Sequence, residues 1–107
     1  MEPVDVCYEN NKSGTYVQFR MMVHTNDLEE LKAYSDFVMS NIQKDFKTLF
    51  DVYGMAFTTS TCYVLPVGDV AESLYLIVCL QGKTSPELED TLQKMGVKRG
   101  KFNGQDK

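Results

Sequence analysis

Apolar and polar residues alternate over positions 15–24. Val17, Phe19, Met21 and Val23 fall on one side of an extended chain, and Tyr16, Gln18, Arg20, Met22 and His24 on the other. The polar run Asn10-Asn11-Lys12-Ser13-Gly14 just before is turn chemistry, so 15–24 is the first predicted strand. The period then lengthens to that of a helix. Leu28, Leu31, Tyr34, Ser35, Val38, Ile42, Phe46, Leu49 and Tyr53 form an apolar stripe, with Asn26 placed to cap and Glu29 to reach back. A single helix through Tyr53 would be about 40 Å long at the usual rise per residue. A break at 44–47, or a strand beginning at Leu49, is therefore equally open.

Residues 55–67 are dense in Thr, Phe, Tyr and Val, and 74–81 are apolar at nearly every position, which predicts two further strands. Pro66-Val67-Gly68-Asp69 supplies the turn between them. Thr84-Ser85-Pro86-Glu87 starts a second helix whose buried stripe is Leu88, Leu92 and Met95 and whose stop is Gly96. A short final strand at 97–102 leaves 104–107 as a frayed tail and 1–103 as one domain. The order β-α-β-β-α-β is the ferredoxin-like split βαβ, an α+β fold with an antiparallel sheet and both helices on one face. Its expected core is Phe19, Leu28, Leu31, Val38, Ile42, Leu76, Val78, Leu88 and Leu92.

Centring the hairpin turn near Asp69 pairs Tyr63 with Leu76 and Thr61 with Val78 under the helices. It pairs Cys62 with Ile77, Val64 with Tyr75 and Ser60 with Cys79 on the opposite face. That opposite face should be mainly polar if it met only water. Its apolar content, mixed with Tyr and Arg, marks an interface instead. The expected partner-binding residues are Tyr16, Arg20, Met22, His24, Val64, Tyr75 and Ile77. The competing expectation is that the N-terminal segment 4–8 lies over this face and covers it.

Charge and candidate chemistry narrow the function further. Fifteen acidic against 11 basic side chains give a net charge of −4, which makes a phosphate-backbone binder unlike this chain. The one local basic cluster is Lys98-Arg99-Gly100-Lys101. No apolar run is long enough to span a membrane, and Met1-Glu2-Pro3-Val4-Asp5 is no signal peptide, so a cytoplasmic location is expected.

Cys7, Cys62 and Cys79 are scattered, with neither a disulfide framework nor a zinc pair, so no metal or cofactor is expected. The single histidine, His24, has no identifiable orienting partner, and no phosphate loop or nucleophile elbow is present, so no catalytic residue is assigned. The acids of Glu29-Glu30 and Glu87-Leu88-Glu89-Asp90 sit where helix dipoles already explain them. Tyr53-Gly54-Met55-Ala56-Phe57 is partly similar to the first RNA-recognition-motif signature, but Tyr53 replaces its base and Met55 its first aromatic. Val17-Gln18-Phe19-Arg20 is partly similar to the acylphosphatase strand and lacks that family's glycine loop.

The function expected from sequence is a small non-catalytic interaction module, regulatory or inhibitory, that binds a partner protein or a second copy through the uncovered sheet face. Two alternatives belong to other classes. One is a dimeric α+β barrel that binds or transforms a small ligand in a pocket holding His24, Arg20 and Tyr16. The other is a ferredoxin-like RNA binder.

Overall fold

The alternating segment forms β2 (Gly14–Val23), and the polar turn before it folds the chain back onto β1 (Asp5–Asn11) as an antiparallel hairpin. The computed structural model describes residues 5–23, 27–64 and 74–100. Beyond the hairpin follow α1 (Leu28–Asp45), α2 (Lys47–Asp51), β3 (Ala56–Val64), β4 (Leu74–Gly82), α3 (Pro86–Lys94) and β5 (Lys98–Arg99). The strands form one sheet in the order β3-β4-β2-β1-β5. Every pairing is antiparallel except that of β1 with β5.

This α+β architecture differs from the expected one in having five strands instead of four, a mixed instead of antiparallel sheet, and three helices instead of two. The added strand comes from the N-terminal segment, to which the sequence reading assigned no strand and which only the competing expectation laid over the open face. It lies beside β2, with Val6 opposite Phe19 and Tyr8 opposite Val17, and so widens the sheet. Burying Tyr8 fully is what this placement achieves, and Gln93 of α3 donates a hydrogen bond to its hydroxyl at 3.1 Å.

One apolar cluster joins Tyr8, Val17, Phe19 and Met21 to Leu76, Val78 and Leu80, and to Val38, Ile42, Leu49, Leu88 and Leu92 of the helices. All three helices therefore share one face of the sheet. Phe19 meets Phe46 edge to face, with ring centroids 5.0 Å apart.

Local chemistry sets the helix limits. Asp27, not Asn26, caps α1, accepting a hydrogen bond from the Glu29 amide at 2.9 Å; Asn26 lies outside the described residues. The long stripe breaks at Phe46 (φ −117°, ψ 36°), separating α1 from α2 and letting Phe46 pack on the core. Two expected core positions are exposed: Leu28, at the first turn of α1 (79%), and Met95, beyond the end of α3 (37%). Leu31 is only partly buried. Ser85 caps α3, accepting from the Leu88 amide at 3.1 Å with Pro86 in the first turn.

The β3–β4 register is displaced by one residue from the expected pairing. Tyr63 stands opposite Tyr75, Cys62 opposite Leu76, Thr61 opposite Ile77 and Val64 opposite Leu74. Moving the centre of a long turn by half a residue changes every partner by one, and nothing in the turn sequence fixes that centre. A bulge between Phe57 and Ser60 then shifts the register by one residue more, so that Phe57 stands opposite Leu80 and Ala56 opposite Gln81.

Candidate functional site

The face of the sheet opposite the helices is built in rows that cross the strands. Asp5, Arg20, Ile77 and Thr61 are successive register partners in one row. Lys98, Cys7, Gln18 and Cys79 form the next, and Glu9, Tyr16, Gln81 and Ala56 the third.

Strand periodicity puts these residues together, because their neighbours Val17, Phe19, Leu76, Val78 and Leu80 are in the core on the other side. Within the rows, Cys7, Ile77 and Cys79 make a second buried apolar cluster. Around it Tyr16, Gln18 and Arg20 are half-buried and Asp5 and Lys98 exposed. Arg20 extends toward the sheet edge, its Nη2 2.9 Å from Asp5 Oδ2, and its side chain keeps 12% of its surface exposed.

Of the seven residues expected to form the binding face, the structure brings Tyr16, Arg20 and Ile77 together on it. Ile77 is 5% exposed, so it acts as the floor of the face and not as a projecting anchor. Met22 and Tyr75 are register partners of one another, two residues along from Arg20 and Ile77. Their side chains, that of Val64 and all of His24 lie outside the described residues. Sequence reading missed Asp5, Cys7 and Glu9, although Asp5, Cys7 and Glu9 alternate with Val6 and Tyr8 in the same period-two pattern as β2.

Burial, and after it the charge of Glu9, pushes the Cys7 thiol from 9.0 up to about 11, which keeps it protonated and a poor nucleophile at neutral pH. Its Sγ lies 3.9 Å from Gln18 Oε1. Cys7 and Cys79 flank Gln18 from the two neighbouring strands. With strands about 4.8 Å apart, their Cα atoms stand roughly 10 Å apart, too far for a disulfide without movement of the backbone. Among the described residues no group of three or more His, Cys, Asp or Glu side chains could hold a metal ion, and no helix is long and apolar enough to cross a membrane.

Large apolar side chains exposed among the described residues lie on or next to the helices: Leu28 and Phe37 of α1, Val52 after α2 and Met95 after α3. Leu28, Leu31 and Met39 also border a groove of about 410 Å³ between α1 and β4. No protein-family model, curated protein or solved structure matches the chain.

Proposed function

We propose that the chain is a non-catalytic interaction module that engages a protein partner, a second copy included, through the helix-free face of its sheet. The observation that carries this reading is the second apolar cluster, Cys7, Ile77 and Cys79, on the side of the sheet opposite the three helices of the described residues. A face that met only water would be polar throughout.

The cluster supplies a floor, and half-buried Tyr16 and Arg20, the latter with 12% of its side-chain surface exposed, stand on it as side chains of two types that often dominate binding energy. Asp5 and Lys98, both exposed, give the rim charges of each sign, which serve orientation more than affinity. The inert Cys7 thiol supports binding over catalysis. A regulatory or inhibitory role in the cytoplasm, where thiols stay reduced, fits a surface of this kind.

For the fold, the proposal is a ferredoxin-like unit with one strand inserted. Leaving out β1, the remaining strands follow the order β3-β4-β2-β5, which is that of the split βαβ sheet. In this reading β1 separates the two strands that would otherwise be neighbours, and it widens the binding face.

The test is affinity capture with the intact chain as bait. A partner retained by the native chain and lost with Arg20→Glu, while the circular dichroism spectrum is unchanged, supports the reading. Retention unaffected by Arg20→Glu and by Tyr16→Ala argues against it.

A further inference from the structure

The end of the sheet nearest the start of α3 holds an open groove of about 560 Å³, framed by the β1–β2 turn, the start of β3 and the β4–α3 link. Two Lys-hydroxyl pairs far apart in the sequence, Lys12-Ser13 and Lys83-Thr84, line it together. The ladder pairing of Thr15 with Gly82 brings them to the same place. Among the described residues no Asp or Glu lines the groove, although the chain as a whole carries a net charge of −4. Among the described residues neither Lys12 nor Lys83 has an ion-pair partner.

Exposed lysines are usually just solvated, and what sets these two apart is the fixed frame beneath them. Gly14 meets the Gly82 carbonyl with no side chain between, in a backbone conformation (φ +136°) reserved for glycine. Gln81 Nε2 donates to the Ser13 carbonyl at 3.2 Å, and the Ser13 amide donates to Asn11 Oδ1 at 2.7 Å. Thr84 is held by Thr15, whose hydroxyl lies 3.0 Å away and itself donates to Asn10 Oδ1 at 2.6 Å; Asn10 in turn donates to Glu89. Both lysine-bearing segments are therefore pinned to one another, which lowers the ordering cost of binding.

We propose that this groove binds the phosphoryl group of a small phosphorylated molecule, with Lys12 and Lys83 as the two cations and Ser13 as a hydroxyl donor. Two lysines lining one groove suit a dianion with several equivalent acceptor oxygens better than a single carboxylate. A nucleic-acid backbone would need positive charge extended well beyond one groove, and an acidic chain does not supply it. Gly82-Lys83-Thr84 precedes a helix as in a phosphate loop, but the glycine loop upstream is missing, and the second lysine comes from a different turn.

The test is an amide-shift titration of the isotope-labelled intact chain with sodium pyrophosphate, and separately with sodium chloride at equal ionic strength. Pyrophosphate should give saturable shifts at Lys12, Ser13, Gly14, Gly82, Lys83 and Thr84 that chloride does not reproduce. Lys12→Ala and Lys83→Ala should each weaken binding by about tenfold or more, the loss of one charge-assisted contact, with spectral dispersion intact. Shifts that do not saturate, that chloride reproduces, or that both variants leave unchanged would overturn the proposal. So would a short single-stranded RNA that shifts these amides when pyrophosphate does not.

Discussion

Gly14 lies so close to Gly82 that a Cβ built on Gly14 would stand 2.3 Å from the Gly82 carbonyl oxygen. The β1–β2 turn and the end of β4 thus meet backbone to backbone, and the contact fixes one end of the sheet. Gly14→Ala is expected to destabilise the fold by about 2 kcal/mol or more, from the clash and the glycine-only backbone conformation together. Gly82→Ala should cost less, because no positive φ adds strain there and its Cβ, 2.7 Å from Met55 Cγ, would displace a side chain and not a carbonyl. Chemical denaturation of the two variants gives the comparison, and equal losses would contradict it.

Removing the cap of α1 gives a second stability test. Asp27→Ala should cost about 0.5–2 kcal/mol, read as a lowered melting temperature. Asn26→Ala should change stability little if Asp27 alone makes the capping bond. The reverse ranking would place the cap one residue earlier.

The Cys7 thiol makes a prediction about pH. Its folded-state value, about 11, lies above its ordinary 9.0, so the folded chain holds the proton more tightly than the unfolded chain does. The stability this contributes is fully present below pH 9.0 and is lost as pH rises toward about 11. Replacing Cys7 by Ala should flatten the fall in stability across that window. An unchanged slope in denaturation midpoints measured from pH 8 to 11 would show that Cys7 is not its source.

Ile77 and Leu76 occupy opposite faces of β4, and both are buried. Leu76→Ala should cost about 2–5 kcal/mol as a cavity in the main core. Ile77→Asp should destabilise by about 3 kcal/mol or more, because it buries a charge in the second cluster. A fully folded Ile77→Asp chain would mean that the second cluster opens readily to water.

Much of the fold was legible because periodicity is a local signal. Val17, Phe19 and Met21, the stripe of Val38 and Ile42, and the Ser85-Pro86 helix start all sit as the sequence pattern requires. Three features were not legible, for separate physical reasons. β1 is short and polar at one end, and what makes it a strand is its pairing with β2, a tertiary contact. The β3–β4 register depends on a long turn and a bulge, where half a residue decides every partner. Leu28 belongs to the apolar stripe by spacing, yet at the first turn of its helix it stays exposed. At the candidate face, the placing of Arg20 and Ile77 on one side of the sheet followed from alternation, whereas their pairing and the burial of Ile77 depended on neighbours from β1, β2 and β4 that no local pattern joins.

The measurement that tests the account most directly compares two surfaces of one molecule. Sedimentation velocity and affinity capture would be run on the native chain, on a Tyr16→Ala/Arg20→Glu variant of the open sheet face, and on a Leu28→Ser/Phe37→Ser variant of the exposed apolar side of α1. The account predicts that the native chain and the α1 variant associate alike, with themselves or with a captured partner, and that the sheet-face variant does neither while keeping a native circular dichroism spectrum. Association that survives in the sheet-face variant and disappears in the α1 variant would contradict it and move the binding surface to the helices.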